Sequence, residues 1–209
     1  MKVLAFYLPQ FHVIPENNKW WGEGFTEWVN VRKAKPLFNG HNQPRIPYNE
    51  FYYDLSDDSV MKHQARLARD YGVDGFCFYH YWFGGKQLLQ KPLLNLLENK
   101  DVDIEYCLSW ANEPWARTWD GRNKDVLMPQ PYGDVDDWEE HFNYLVRFFH
   151  DTRYIKINSK PMLLIYKSKD IPKFDEMINF WNELAISHGF DDGLHIVETM
   201  GGSNQNLLL

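Results

Sequence analysis

The sequence predicts an α/β fold of the (β/α)8 TIM-barrel type, of which this chain supplies the first five β/α steps. Two features carry that reading. Apolar runs rich in aromatic and β-branched residues alternate with amphipathic stretches, as expected when parallel strands are buried on both faces and helices cross over between them. The first run is followed by no Gly-rich phosphate turn, which a dinucleotide-binding sheet would place there. A loop of more than forty residues, 8–55, stands in its place, and a connection of that length carries function more often than mere linkage.

The first strand is read at residues 3–7 and ends before Pro9. A helix follows over residues 56–71, capped by Ser56, with Asp57 and Asp58 in its first turn and Gly72 as its stop. The second strand spans 73–79, the second helix 88–97 and the third strand 104–108. The third helix, 135–150, sets Trp138, Phe142, Leu145, Val146 and Phe149 on one face at a 3.6-residue period. After a fourth strand at 162–166, a helix opens near Pro172, aligns Phe174, Met177, Trp181, Leu184 and Ala185, and ends at Gly189. The fifth strand is 194–198. Residues 1–209 read as a single domain that lacks the C-terminal part of the barrel, because about 250 residues is the usual size of a whole one. On that reading the fifth strand has an unpaired edge, which invites self-association.

Composition narrows the function. The 209 residues carry 22 Lys and Arg against 29 Asp and Glu, a formal charge of −7, which argues against a nucleic-acid surface. No apolar run reaches bilayer-spanning length, and Pro9 and Gln10 interrupt the N-terminal run before it reaches that of a signal peptide. A cytoplasmic location is expected. Cys77 and Cys107, each within an apolar run, read as free buried thiols.

Seven of the nine tryptophans, Trp20, Trp21, Trp28, Trp82, Trp110, Trp115 and Trp119, fall at or after the C-terminal ends of the strands. In an α/β barrel those ends form the active face. Sugars have apolar C–H faces that stack on aromatic rings, and hydroxyls that need amides, carboxylates and imidazoles. Gln10, His12, Glu23, Glu27, His80, Asn112, Glu113 and Asp120 lie in the same segments, with Tyr7 and Tyr79 at strand ends. The alternative is that several rings pack the long first loop against the barrel.

The stretches AFYLPQFH (5–12), WWGEGFTEWVNV (20–31), HNQPRIP (41–47), GFCFYHYWFGGKQLLQKPL (75–93) and WANEPWARTWDG (110–121) resemble the WbsX family. Its members are proteins of polysaccharide gene clusters, described as glycosyltransferases and similar to the catalytic domain of glycoside hydrolase family 99. The resemblance implies a (β/α)8 barrel acting on glycosidic bonds of an oligosaccharide or polysaccharide. Longer members carry an NEWAEG-type segment whose two carboxylates correspond to the hydrolases' catalytic pair. This sequence has no such segment, and it has Pro114 where the family's WANENW motif has its second Asn.

Cleaving a glycosidic bond needs two carboxyl groups, one to protonate the leaving oxygen and one as base or nucleophile. Within this chain the candidates are Glu113, after the third strand, and Glu198, ending the fifth. Glu113 has two alternative roles, as an acceptor for a sugar hydroxyl or as a partner for Arg117. His80 reads as a hydrogen-bonding rim residue, since no second ligand stands at metal spacing on its own element. Two Asp-x-Asp pairs, Asp101 with Asp103 and Asp134 with Asp136, could hold a nucleotide-sugar metal. The first lies at the wrong end of the barrel and the second at a helix start, where capping explains it. Neither a metal nor a cofactor is expected. The enzyme reading, hydrolase or transferase, stands beside that of a non-catalytic carbohydrate-binding fragment.

Overall fold

The computed structural model describes residues 1–117 and 122–199. Five parallel strands, β1 (Leu4–Tyr7), β2 (Gly75–Phe83), β4 (Glu105–Trp110), β8 (Lys160–Ile165) and β9 (His195–Glu198), pair in that order. Three shorter antiparallel pieces complete the strands among the described residues: β3 (Lys86–Leu88) on β2, β7 (Lys156–Ile157) on β8, and the hairpin of β5 (Trp115–Arg117) with β6 (Arg122–Met128). The parallel strands follow chain order without skip or reversal. Right-handed crossovers then place every helix on the same side, which is the winding of a barrel and not of a doubly wound sheet. Among the described residues, β1 and β9 each pair on one side only, so the sheet is open at both edges.

The crossover helices are α3 (Asp58–Asp70), α4 (Lys91–Glu98), α5 (Val135–Phe149) and α6 (Phe174–Ser187), with α3 against α4 and α5 against α6. Paired residues in a parallel sheet share a face. On the helix side, Tyr7, Phe78, Leu108 and Leu163 form a row that joins Val60, Met61, Leu96, Phe142 and Met177 in the core. On the opposite side, Phe6, Cys77 and Cys107 form one row and Ser109, Leu164 and Val197 another. Both cysteines are free and buried. Gly75 leaves no room for a side chain between β1 and β4, since a Cβ there would lie 2.7 Å from the Glu105 carbonyl oxygen and 2.9 Å from the Leu4 side chain.

Several boundaries differ from the sequence reading. The N-cap of α3 is Asp57, whose carboxylate accepts from the Ser59 N–H at 2.8 Å, while Ser56 lies outside the helix. Strand β2 runs on to Phe83, because Tyr81, Trp82 and Phe83 pair with β3. That arm takes up the residues read as the start of the second helix, and α4 opens only at Lys91 with Pro92 in its first turn. The long first loop carries two short helices, α1 (Pro15–Trp21) and α2 (Glu27–Lys33). The β5–β6 hairpin was not legible in the sequence. Nor was β7, which turns into β8 through Asn158 and Ser159, both at positive φ as a two-residue hairpin turn requires.

The end of the sheet opposite the strands' C-termini is tied down by one guanidinium. Arg153 donates to the carbonyls of Leu96, Asn99 and Val102 and to the fully buried Asp151 carboxylate. Burial opposes ionisation of Asp151, but the hydrogen bonds from Arg153 and Lys100 outweigh it and hold the carboxyl well below the usual range. A depressed carboxylate contributes stability that is complete above its unfolded value, about 3.9, and that is lost as pH falls through the folded one. Arg153→Ala leaves three carbonyls without their donor and the buried Asp151 carboxylate with Lys100 as its remaining side-chain partner. Urea unfolding at pH 7 is expected to show a loss of about 3 kcal/mol, and a loss that shrinks below pH 4.

Candidate functional site

The C-terminal ends of β4 and β8 are joined by a buried amide. Asn112, two residues past β4, is wholly inaccessible. Its Nδ2 donates to the Lys167 carbonyl at 2.8 Å, and its Oδ1 accepts from the Lys167 N–H at 2.8 Å. The side chain thereby mimics a strand neighbour and continues the β4–β8 pairing beyond the last backbone bond, Tyr166 N–H to Trp110 O at 3.1 Å. The Tyr132 hydroxyl donates to the Asn112 carbonyl at 3.1 Å. This clamp sets Glu113 beside Lys167, and their side chains pair at 2.8 Å. The ammonium is held above its ordinary range, chiefly by that hydrogen bond.

Glu113 stands between two adjoining cavities. One, of about 200 Å³, is lined by Gln10, Asn17, Trp21, Glu27, Trp115 and Leu127 among others. The second, of about 230 Å³, is lined by Leu8, Gln10, Tyr79, Tyr81, Trp115 and Tyr166, and Glu113, Gln10 and Trp115 belong to both. Gln10 is held by its Nε2, which donates to the Tyr81 hydroxyl at 2.8 Å. Trp115 is oriented edge-on by Trp20, Tyr81 and Phe83, and the β5–β6 hairpin that carries it forms one lip. Arg117 lies 5.1 Å above the Trp21 ring and donates to the Trp20 carbonyl, so the partner of Glu113 is Lys167 and not Arg117.

The structure thus gathers Gln10, Trp21, Glu27, Tyr79, Glu113 and Trp115 at one groove, with Trp20 behind Trp115. Other candidates turn away from it. Trp82 and Trp110 are 2% exposed and face the helix layer, Trp82 stacked on His141 and Trp110 packed against His141, Tyr132 and Trp181. Neither has a free face for a sugar. His80 is not on the rim: it is buried beneath α5, its Nε2 is 2.9 Å from that of His141, and desolvation lowers it to about 3. Sequence spacing hid this pair because the second imidazole comes from another element. Tyr7 points to the helix layer and bonds Gln64. Trp28 donates to the Tyr53 carbonyl and packs on Phe11, pinning the first loop, and His12 is buried under it. Asn112 serves as the clamp.

Glu198 does not share the groove. It pairs in register with Ile165, on the helix side, accepts from the Ser168 hydroxyl, and lines a separate hollow with Lys173 and Asp175. Trp119 and Asp120 lie outside the described residues. Asn17, Tyr166 and Lys167 belong to the site although sequence reasoning passed over them. The signal for Tyr166 and Lys167 was their position at the end of the fourth strand. The Asp-x-Asp pairs are accounted for without a metal: Asp101 and Asp103 pair with Lys62 and Arg69, and Asp134 caps α5. No group of three or more metal-ligating side chains occurs among the described residues, nor a helix long and apolar enough to cross a membrane.

The sheet has the winding of an α/β barrel and carries an aromatic-flanked carboxylate groove at its strand ends. The chain belongs to the glycosyltransferase WbsX family, whose profile matches residues 3–208. It is 42% identical over 199 residues to the uncharacterized protein WxcX of Xanthomonas campestris pv. campestris strain B100, and equally so to that of strain ATCC 33913. The match covers 95% of this chain and 28% of those relatives, so the chain spans little more than a quarter of their length. Among solved structures it is similar to the GH99 endo-alpha-mannosidase from Bacteroides thetaiotaomicron, with a TM-score of 0.56 and 18% identity, over 95% of this chain and 55% of that one. A structure described as a glycoside hydrolase-like protein matches with a TM-score of 0.57 and 14% identity, over 94% of this chain and 51% of that one. At such identities the likeness shows the fold.

The clamp is open to a direct check. Asn112→Ala leaves the Lys167 N–H and carbonyl unpaired in a dry environment, an expected loss of about 2–4 kcal/mol in denaturant unfolding. Amide exchange should quicken at Lys167 while the β1–β2 pairing stays protected. Uniform loss of protection across the sheet would show that Asn112 supports the whole core and not the strand ends.

Proposed function

We propose that this chain is the substrate-binding part of a glycosidase-like domain that acts on a polysaccharide, in O-antigen-type polysaccharide biosynthesis or processing. The observation that carries the reading is the placement of Glu113. It sits at the C-terminal face of a barrel-type sheet, between two cavities that share an aromatic wall. Trp21, with Arg117 over one side of its ring, and the edge-braced Trp115 line the groove with apolar surface for a pyranose ring, while Gln10, Asn17, Tyr79 and Tyr166 offer hydroxyl partners. Glu113 is the carboxylate on this reading, held by Lys167 for a sugar hydroxyl or for the reacting bond. Glu198 faces another hollow and acts on no substrate held against Glu113.

The mannosidase fold neighbour makes a mannose-containing glycan the first ligand to try. A single domain over residues 1–209 is consistent with the one parallel sheet on which the main core packs. The open edges of β1 and β9 are where further β/α units, or a second copy of the chain, would pair. A cytoplasmic setting agrees with two buried thiols that remain unbridged.

Binding of mannan-type and bacterial polysaccharide fragments, measured by calorimetry, tests the proposal. Trp115→Ala is expected to lose roughly tenfold or more in affinity, as for a well-packed aromatic anchor, with an unchanged far-ultraviolet spectrum. Binding without turnover supports the substrate-binding reading. Robust turnover abolished by Glu113→Gln would put the catalytic acid or base in this chain, and turnover only with a nucleotide sugar would make it a transferase.

A further inference from the structure

Glu27 is the groove's second carboxyl, and its surroundings are unlike those of Glu113. It opens α2 and is delivered there by a built turn: the Asn18 side chain accepts from the N–H groups of Gly24 and Phe25, and Gly22 and Gly24 take positive φ. On its other side, the Trp28 indole is fixed to the Tyr53 carbonyl. The carboxyl lines the same cavity as Glu113, yet its Oε2 is buried and has no hydrogen-bond partner among the described residues. Among the described residues, the polar and titratable groups facing this cavity or coupled to Glu27 are Gln10 after β1, Asn17 and Trp21 of α1, Tyr53 before α3, Tyr81 of β2, Glu113 and Trp115. None is a cation. The two cations tied to groove residues are engaged elsewhere, Lys167 with Glu113 and Arg117 with the Trp20 carbonyl.

The carboxyl accepts from its own backbone N–H but faces no counter-charge among the described residues, and a carboxylate so placed is costly to bury, whereas a carboxylic acid is a hydrogen-bond donor of ordinary cost. We propose that Glu27 meets the glycan as the neutral acid and donates a hydrogen bond to an oxygen of the bound sugar, making it a specificity-determining residue of the groove. The pair is then divided: Glu113, beside an ammonium, accepts from sugar hydroxyls, and Glu27 donates. Burial, which pushes Glu27 up to about 7, keeps the donor available near neutral pH. This inference rests on the glycan-binding function proposed above.

The test joins a titration with a binding profile. Carboxyl carbon signals of glutamate-labelled chain, followed by NMR from pH 4 to 9, should show one resonance with a midpoint near 7 that is absent from Glu27→Gln. With a neutral α-mannooligosaccharide as probe, wild-type affinity should fall about tenfold between pH 6 and pH 8, the change in the protonated fraction of a group titrating at about 7. Glu27→Gln should make affinity independent of pH over that range, and Glu27→Ala should weaken it at pH 6. A Glu27 midpoint in the ordinary glutamate range, or wild-type binding that is flat with pH, overturns the inference and leaves the glycan function standing. Failure to bind at any pH overturns both.

Discussion

The site depends on the hydrogen-bonded ring between the Asn112 amide and the backbone of Lys167. A parallel sheet stops specifying geometry where its strands end, and side chains on the loops beyond are free to diverge. Here the amide carries the β4–β8 pairing past that limit, with both of its polar atoms satisfied and no exposure to water. The Glu113–Lys167 pair, the two cavities on either side of it and the start of the β5–β6 hairpin all inherit their positions from this ring. The same residues explain why the groove faces a single direction: strands in unbroken chain order bring all their C-terminal ends to one side, and the clamp joins two of them.

Around this ring the aromatic residues divide by face. Those on the helix side of the sheet, Trp82, Trp110 and Trp181, enclose His141 and, with His80, make a dry layer under α5. Its two imidazoles are uncharged, since burial lowers both. Those on the loops, Trp20, Trp21 and Trp115, stay half-buried and border the groove. Buried rings beneath and partly open rings above suit the glycan-binding role proposed for the groove.

The strand and helix order was legible in the sequence because period and apolar content are local properties; all five parallel strands and all four crossover helices appear where the pattern puts them, within a few residues. The faces were less legible. Trp82 and Trp110 stand at strand ends in sequence, but a one-residue step in a strand reverses direction, and the register that turns them inward is set by partners on other strands, β3 for Trp82 and β2 and β8 for Trp110. His80 and Asn112 were read as ligand contacts because their chemistry suits both a rim and a core. What decides is a partner distant in the chain, His141 for the one and Lys167 for the other. The β5–β6 hairpin escaped notice because its short strands carry no alternation.

The most direct measurement of the central claim uses the tryptophan indoles themselves. In a proton–nitrogen correlation spectrum of the labelled chain, titrated with a mannan-derived oligosaccharide, the Trp21 and Trp115 indole signals should move in proportion to ligand bound. Those of Trp82, Trp110 and Trp181 should remain in place. Shifts led by Trp82 or Trp110, or saturating binding that leaves Trp21 and Trp115 unmoved, would contradict a glycan site at the strand ends.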